Sequence, residues 1–253
     1  MCVSAAARQC LIRFAPLLGL VVLWQLLGHQ IDNKLLPQPS AVLQLLWTEA
    51  TQGDFWLHLR MTLTRVVISF TLAMTLGTTL GILMGLNPTL DKVLDTFLII
   101  GMNIPALVVI IVCYIWLGLT EAAAITAVTL NKAPMVAVSL REGTRALDPK
   151  LFQFASVYQV SRWKILTHII FPQLLPYLFG AVRNGLSIIW KIVLVVELLG
   201  CSNGFGFQIG SYFHFFDLTG VLAYTLAFTL VVFMIEYGAI RPIEQRMLRW
   251  RTL

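Results

Sequence analysis

Long apolar runs separated by short polar breaks organise the chain. Read against its breakers, the pattern predicts six membrane-spanning helices: Phe14–Gly28, Val66–Leu86, Val93–Leu117, Ala122–Leu140, Leu174–Leu199 and Leu218–Ile240. A helix of about 20 mostly apolar residues crosses a hydrocarbon core of ~30 Å. The first run is the shortest. Arg8 and Arg13 ahead of it resemble the start of a signal peptide, but His29-Gln30-Ile31-Asp32 follows with no small-x-small cleavage site, so it is expected to remain as an uncleaved span. After it, Pro37 and Pro39 fix an extended turn and Ser40 is placed to cap a helix. Ala41, Val42, Leu45, Leu46 and Trp47 form an apolar face interrupted by Gln44 and Glu49, which suits a helix lying at the outer interface or packed on protein.

Composition supports this reading, with 58% hydrophobic and 12% charged residues against about 45–50% and about 25% in soluble domains. The fold class is therefore all-α, a polytopic membrane protein treated as one unit over residues 1–253. The net charge of +6 reflects topology rather than nucleic-acid binding, because the basic residues flank apolar runs. With six spans both termini share one side. Arg8, Arg13, Lys92, Arg141, Arg145, Lys150, Arg162, Lys164, Arg241, Arg246, Arg249 and Arg251 all fall there, against Lys34 and Arg60 opposite. Both termini and residues 141–173 are thus expected in the cytoplasm, with 29–61 and 200–217 outside.

Gly77, Gly81 and Gly85 share one face of the second span, which permits close helix packing or, less simply, lines a path. The sequence holds no GxxxxGK[ST] phosphate loop, no HExxH and no GxSxG, so no catalytic residue is assigned and any use of ATP must belong to a partner. Cys2, Cys10, Cys113 and Cys201 lack metal-ligand spacing, and no metal site is expected. Gly204-Phe205-Gly206-Phe207 follows a span, not a strand, and reads as a turn into a re-entrant or interfacial stretch.

Ionisable groups inside a bilayer cost at least ~2.5–3.5 kcal/mol each and need a partner, a wet cavity or a function. Lys132, Arg183, Lys191 and Glu197 lie inside spans four and five. Arg183 and Lys191, eight apart, share a helix face, whereas Lys191 and Glu197, six apart, do not. Either these cations line a path for an anion, or they snorkel and pair with Glu197 or backbone. Asn103 and Pro105 are placed to break the third span and expose carbonyls toward a cavity, or simply to kink it. A carrier driven by an ion gradient would need paired carboxylates, and Glu121, Glu197 and Glu236 are not paired by spacing.

The loop from Arg141 to Pro172 is large enough for structure of its own. Asp148-Pro149 breaks the preceding helix, Leu151, Phe152, Phe154, Ala155 and Tyr158 form a short apolar-sided helix, and Ser161 caps a second one expected to stop at Pro172 and Pro176. The segment LDPKLFQFASVYQVSRWKILTHIIFPQLLPYLFGAVRNGLSIIWKIVLVVELL resembles the coupling-loop region of importer-type ABC permeases. The resemblance is nearest to the aliphatic-sulfonate, taurine and nitrate branch of that binding-protein-dependent family. LLPQP, NIPALVVIIVCYIWLGL and NGFGFQI also resemble that branch in order and spacing.

The resemblance implies a type I importer permease with six transmembrane helices in the bacterial inner membrane. It also implies ATP-binding cassette ATPase subunits that hold ATP and Mg²⁺, a periplasmic or extracellular solute-binding protein, and a second permease copy, identical or different. Beyond these, membrane lipid is the surroundings and no nucleic acid is involved. Where the family loop reads E-A-A, three residues, then G, this chain has Gln153, Phe154 and Ala155, then Gln159. A Gln needing a left-handed backbone there costs roughly 1–2 kcal/mol relative to Gly. The resemblance places residues 151–166 in the ATPase cleft, with Gln153, Ala155, Gln159, Arg162 and Trp163 at the contact. It makes the solute a small anion, for which Asn103, Lys132, Arg183, Lys191 and Glu197 are the candidate path residues.

Overall fold

The computed structural model of the chain describes residues 19–30 and 36–247. The described elements are helices: α1 (19–30), α2 (Pro39–Gln52), α3 (Phe55–Leu86), α4 (Pro88–Asn103), α5 (Ala106–Leu117), α6 (Glu121–Arg145), α7 (Pro149–Val157), α8 (Arg162–Ile165), α9 (Phe171–Gly200), α10 (Phe205–His214), α11 (Leu218–Ile235) and α12 (Arg241–Met247). Side chains cap four of them, but neither Ser40 nor Ser161 does so: α2 already begins at Pro39, with Gln38 ahead of it, and Ser161 precedes α8 without a side-chain cap bond. Asn87 Oδ1 accepts from Thr89 N and Leu90 N ahead of α4, Thr120 Oγ1 caps α6, Asp148 caps α7 and Asp217 caps α11.

Among the described residues four helices are long and apolar enough to cross a membrane, and a fifth span results if the bent pair α4 and α5 counts as one. Of the first expected span, residues 14–18 lie outside the described residues and the rest is α1. The second span starts at Phe55 instead of Val66, because the helix runs on past the apolar window through His58, Thr62 and Arg65. The third is not one helix. Pro105 has no N–H to donate and holds Ile104 extended, so α4 and α5 meet at 98°.

Nor do Pro172 and Pro176 stop the chain after α8. Arg162–Gly200 is one helical span of 39 residues. A π-helical turn, Leu166–Ile170, precedes Pro172, with Phe171 N–H bonded to the Leu166 carbonyl. The wider turn makes room where the proline ring would meet the carbonyl four residues back. The same device recurs at Glu236–Ile240, two residues before Pro242.

Packing centres on α3, α6 and α9. A Cβ on Gly77 would come within 2.5 Å of Val136 Cβ, and one on Gly81 would collide with the Ala137 carbonyl, so the glycines let α3 lie directly against α6. Arg141 and Arg145 near the end of α6 pair with Asp91, and Arg141 also with Asp95, which ties α4 to that end. At the opposite end α2 is docked by its Glu49, which accepts from Tyr212 and Tyr224 at 3.0 and 2.9 Å, while Leu43 and Trp47 stay exposed. Burial and this hydrogen bond push the Tyr212 phenol up to about 12, so it remains a donor.

Candidate functional site

Helix α9 has two faces. Leu174, Ala181, Gly185, Ile189, Ile192, Val193 and Val196 are buried against the bundle. Opposite them Gly180, Asn184, Ser187 and Lys191 recur every three or four residues and are exposed near mid-span. Of these, Asn184, Ser187 and Lys191 line, with Arg183, a groove of about 440 Å³, closed by Phe228, Thr229 and Phe233 of α11 and by Glu236 of the following π turn. Arg183 Nε lies 3.5 Å from Glu236 Oε1, which also receives Arg241 Nε at 3.7 Å. Two lining cations against one carboxylate leave the groove positive. A polar stripe at this depth is costly in lipid and is stable facing water or another protein surface.

Three other residues singled out from the sequence lie away from the groove. Asn103 ends α4, exposed, and donates back to the Ile99 carbonyl at 2.7 Å. Lys132 is 2% exposed, and its arm packs against Gly185 on the flank of α9. Glu197 is wholly buried and saturated: it accepts from Arg65 at 2.7 Å, Thr62 at 3.0 Å and Gly206 N at 2.8 Å.

Arg65 joins the parts of this knot. Its guanidinium also reaches Glu121 and both the carbonyl and side chain of Asn203, linking α3, α6, α9 and the turn before α10. Alongside, Gly204 N donates to His58 Nδ1 and Phe205 N to Thr62 Oγ1. Gly204 has φ of +110°, and a Cβ there would lie 2.5 Å from the Glu197 carboxylate oxygens. The Gly204-Phe205-Gly206 stretch thus seats the short helix α10 on α9. Arg65 falls just before the apolar window of its span. The recurrence of His58, Thr62, Arg65 and Ser69 at helical spacing marks it as part of one polar helix face.

At the other end, α7 and α8 form a helix–turn–helix projection. Ala155 is buried beneath it, whereas Phe154, Val157, Tyr158 and Trp163 are exposed, Trp163 by 71%, and Phe154 stacks on Tyr158 at 4.5 Å. Gln153, Gln159 and Arg162 are exposed as well. Gln159 has φ of +50°. Its N–H bonds the Ser156 carbonyl and Val160 N–H the Ala155 carbonyl, closing a Schellman turn with Gln in the place that favours glycine. The turn holds two rigid helices with an aromatic tip beyond the bundle.

The chain as a whole is similar to known proteins. The chain is 29% identical over 252 residues to the putative aliphatic sulfonates transport permease protein SsuC of Escherichia coli strain K12, covering 98% of this chain and 95% of that protein. It is 29% identical over 251 residues to the taurine transport system permease protein TauC of the same strain, covering 96% and 91%. The fold is similar to that of the inward-facing methionine ABC transporter MetNI, with a TM-score of 0.67 at 18% identity over 78% of this chain and 99% of that one. Residues 77–248 match the family described as binding-protein-dependent transport system inner membrane component. The chain belongs to that family and is a multi-pass permease subunit of an ABC importer in the bacterial inner membrane, with ATP hydrolysis performed by a separate subunit.

Proposed function

We propose that this permease carries a small organic or inorganic anion, of the sulfonate, taurine or nitrate kind, along the exposed face of α9. The observation that carries this reading is the mid-span stripe of Asn184, Ser187 and Lys191 beside a positive groove. A second permease copy laid against that face would enclose a passage between the two copies and remove the polar stripe from lipid. In this arrangement Lys191 attracts the anion, Asn184 and Ser187 supply neutral hydrogen bonds that let it move on, and Arg183 stays partnered with Glu236. Glu197 works as a structural counter-ion for Arg65, and Asn103 marks the break between α4 and α5.

Delivery falls to a solute-binding protein on the outer face, in line with a family described as binding-protein-dependent. Two copies of an ATPase carrying ATP and Mg²⁺ dock on the α7–α8 projection, with Gln153, Arg162 and Trp163 at the contact, Ala155 packing beneath it and Gln159 turning the chain. ATP-driven closure of the ATPases moves the two projections together and switches access to the passage. Lys191→Met tests the path: uptake of ethanesulfonate by cells expressing the complete transporter falls about ten-fold while complex yield is unchanged. Unaltered uptake would remove Lys191 from the path.

A further inference from the structure

Lys132 is a cation in the interior of a membrane protein with no ion pair to a carboxylate among the described residues. Among the described residues its Nζ has one polar neighbour, the Met135 thioether at 2.9 Å, a weak acceptor. The surroundings repeat the anomaly. Thr129, one turn earlier on the same face of α6, has a buried hydroxyl without a hydrogen-bond partner, as does Ser69 on the facing side of α3. A buried charge survives without a counter-ion only when something else gains from it.

Geometry indicates what gains. A Cβ on Gly185 would lie 3.3 Å from Lys132 Cε and 3.7 Å from Phe70 Cε2, so the lysine arm rests on bare backbone of α9. Asn184, the preceding residue, lies about 100° around the helix and opens into the groove. With neighbouring Cα atoms ~3.8 Å apart, the ammonium is on the order of 10 Å from the Asn184 side chain. Lys132 is buried and rests on the backbone of Gly185, so its charge is screened less than one in open water. No acidic residue occurs on α9 between Phe171 and Val196, and the carboxylate lining the groove, Glu236, is engaged by Arg183 and Arg241.

We propose that Lys132 is a specificity-determining residue that acts through α9: from behind Gly185 it holds the groove at a positive potential and makes the passage prefer anions without touching them. The proposal rests on the reading of the α9 face as the passage. It assigns to Gly185 the task of keeping the charge close, and to the loose polar surroundings of Lys132 the task of leaving that charge uncancelled.

The test needs no knowledge of the natural solute. In the assembled transporter, with Cys2, Cys10, Cys113 and Cys201 replaced, the Asn184→Cys variant is allowed to react in membranes with an anionic and a cationic methanethiosulfonate of similar size. The readout is the ratio of the two rates. At an effective dielectric constant of 20, one charge at ~10 Å changes the rate of each reagent by roughly ten-fold in opposite senses. Lys132→Met should lower the anion-to-cation ratio by at least ten-fold, and Lys132→Arg should preserve it. Lys132→Gln replaces the Met variant if membrane yield falls. An unchanged ratio in the neutral variant overturns the proposal, as does an equal fall with Met and Arg, which would mean packing alone. Failure of the Asn184→Cys variant to react with either reagent would instead overturn the passage reading beneath it.

Discussion

Gln159 shows how one residue can carry a cost that its neighbours absorb. With φ of +50° it occupies the left-handed position of the turn between α7 and α8, and the paired bonds from Gln159 N–H and Val160 N–H hold it there. Glycine adopts that conformation freely, so Gln159→Gly should stabilise the loop by about 1 kcal/mol. The expected outcome is a higher thermal midpoint of the detergent-purified permease, with Gln159→Val shifting it the other way. An unchanged midpoint for both would mean that the turn contributes nothing to global stability. At Arg65 the balance differs. Loss of one partner of a buried ion pair costs about 3–5 kcal/mol, and here one guanidinium serves two carboxylates and a loop.

At the scale of elements, the spacing of small residues decides how closely helices approach. A Cβ on Gly81 would strike the Ala137 carbonyl and lie 2.8 Å from Leu140 Cβ, neither of which can move without shifting α6. Gly180, on the exposed face of α9, has nothing within 4 Å of the same position. Gly81→Ala should therefore lower the thermal midpoint of the purified permease by several degrees, while Gly180→Ala raises it slightly through helix propensity. Equal effects of the two would dismiss the α3–α6 contact as the reason for the glycine. This packing is legible from the four-residue spacing alone, as are the helical class and the exposed cations of α9, because each depends on local periodicity. The start of α3 is not legible in that way: hydropathy registers where lipid begins, whereas Phe55 to Arg65 is helix that pairs its polar side with α9 and the turn at Gly204. The Glu197 partner is equally hidden, since residues 65 and 197 meet only through the bundle. Proline is also an ambiguous signal. Pro105 breaks a span by 98°, but Pro172 does not, because a π turn absorbs it.

Across the whole molecule the two ends differ in kind. One is locked by the Arg65 knot and by Glu49 holding α2 to α10 and α11. The other carries an aromatic projection that no part of the described chain covers: Phe154, Tyr158 and Trp163 are each more than half exposed. Such exposure in water is unfavourable unless a partner buries it, and aromatic side chains in a pocket dominate interface energies. α8 runs through its π turn into α9 as one helical span of 39 residues, so a push on Trp163 is transmitted directly to the helix bearing Asn184, Ser187 and Lys191. In the proposed arrangement this continuity links the ATPase-facing projection to the groove. Trp163→Ala should accordingly abolish ATP-driven uptake while leaving membrane insertion intact. Affinity purification in mild detergent should recover the permease with at least ten-fold less ATPase, the loss expected for an anchor worth about 1.4 kcal/mol or more. Retained ATPase with lost uptake would make Trp163 a transmitting residue and not an anchor. Normal uptake and normal ATPase recovery together would show that the projection is not the coupling surface.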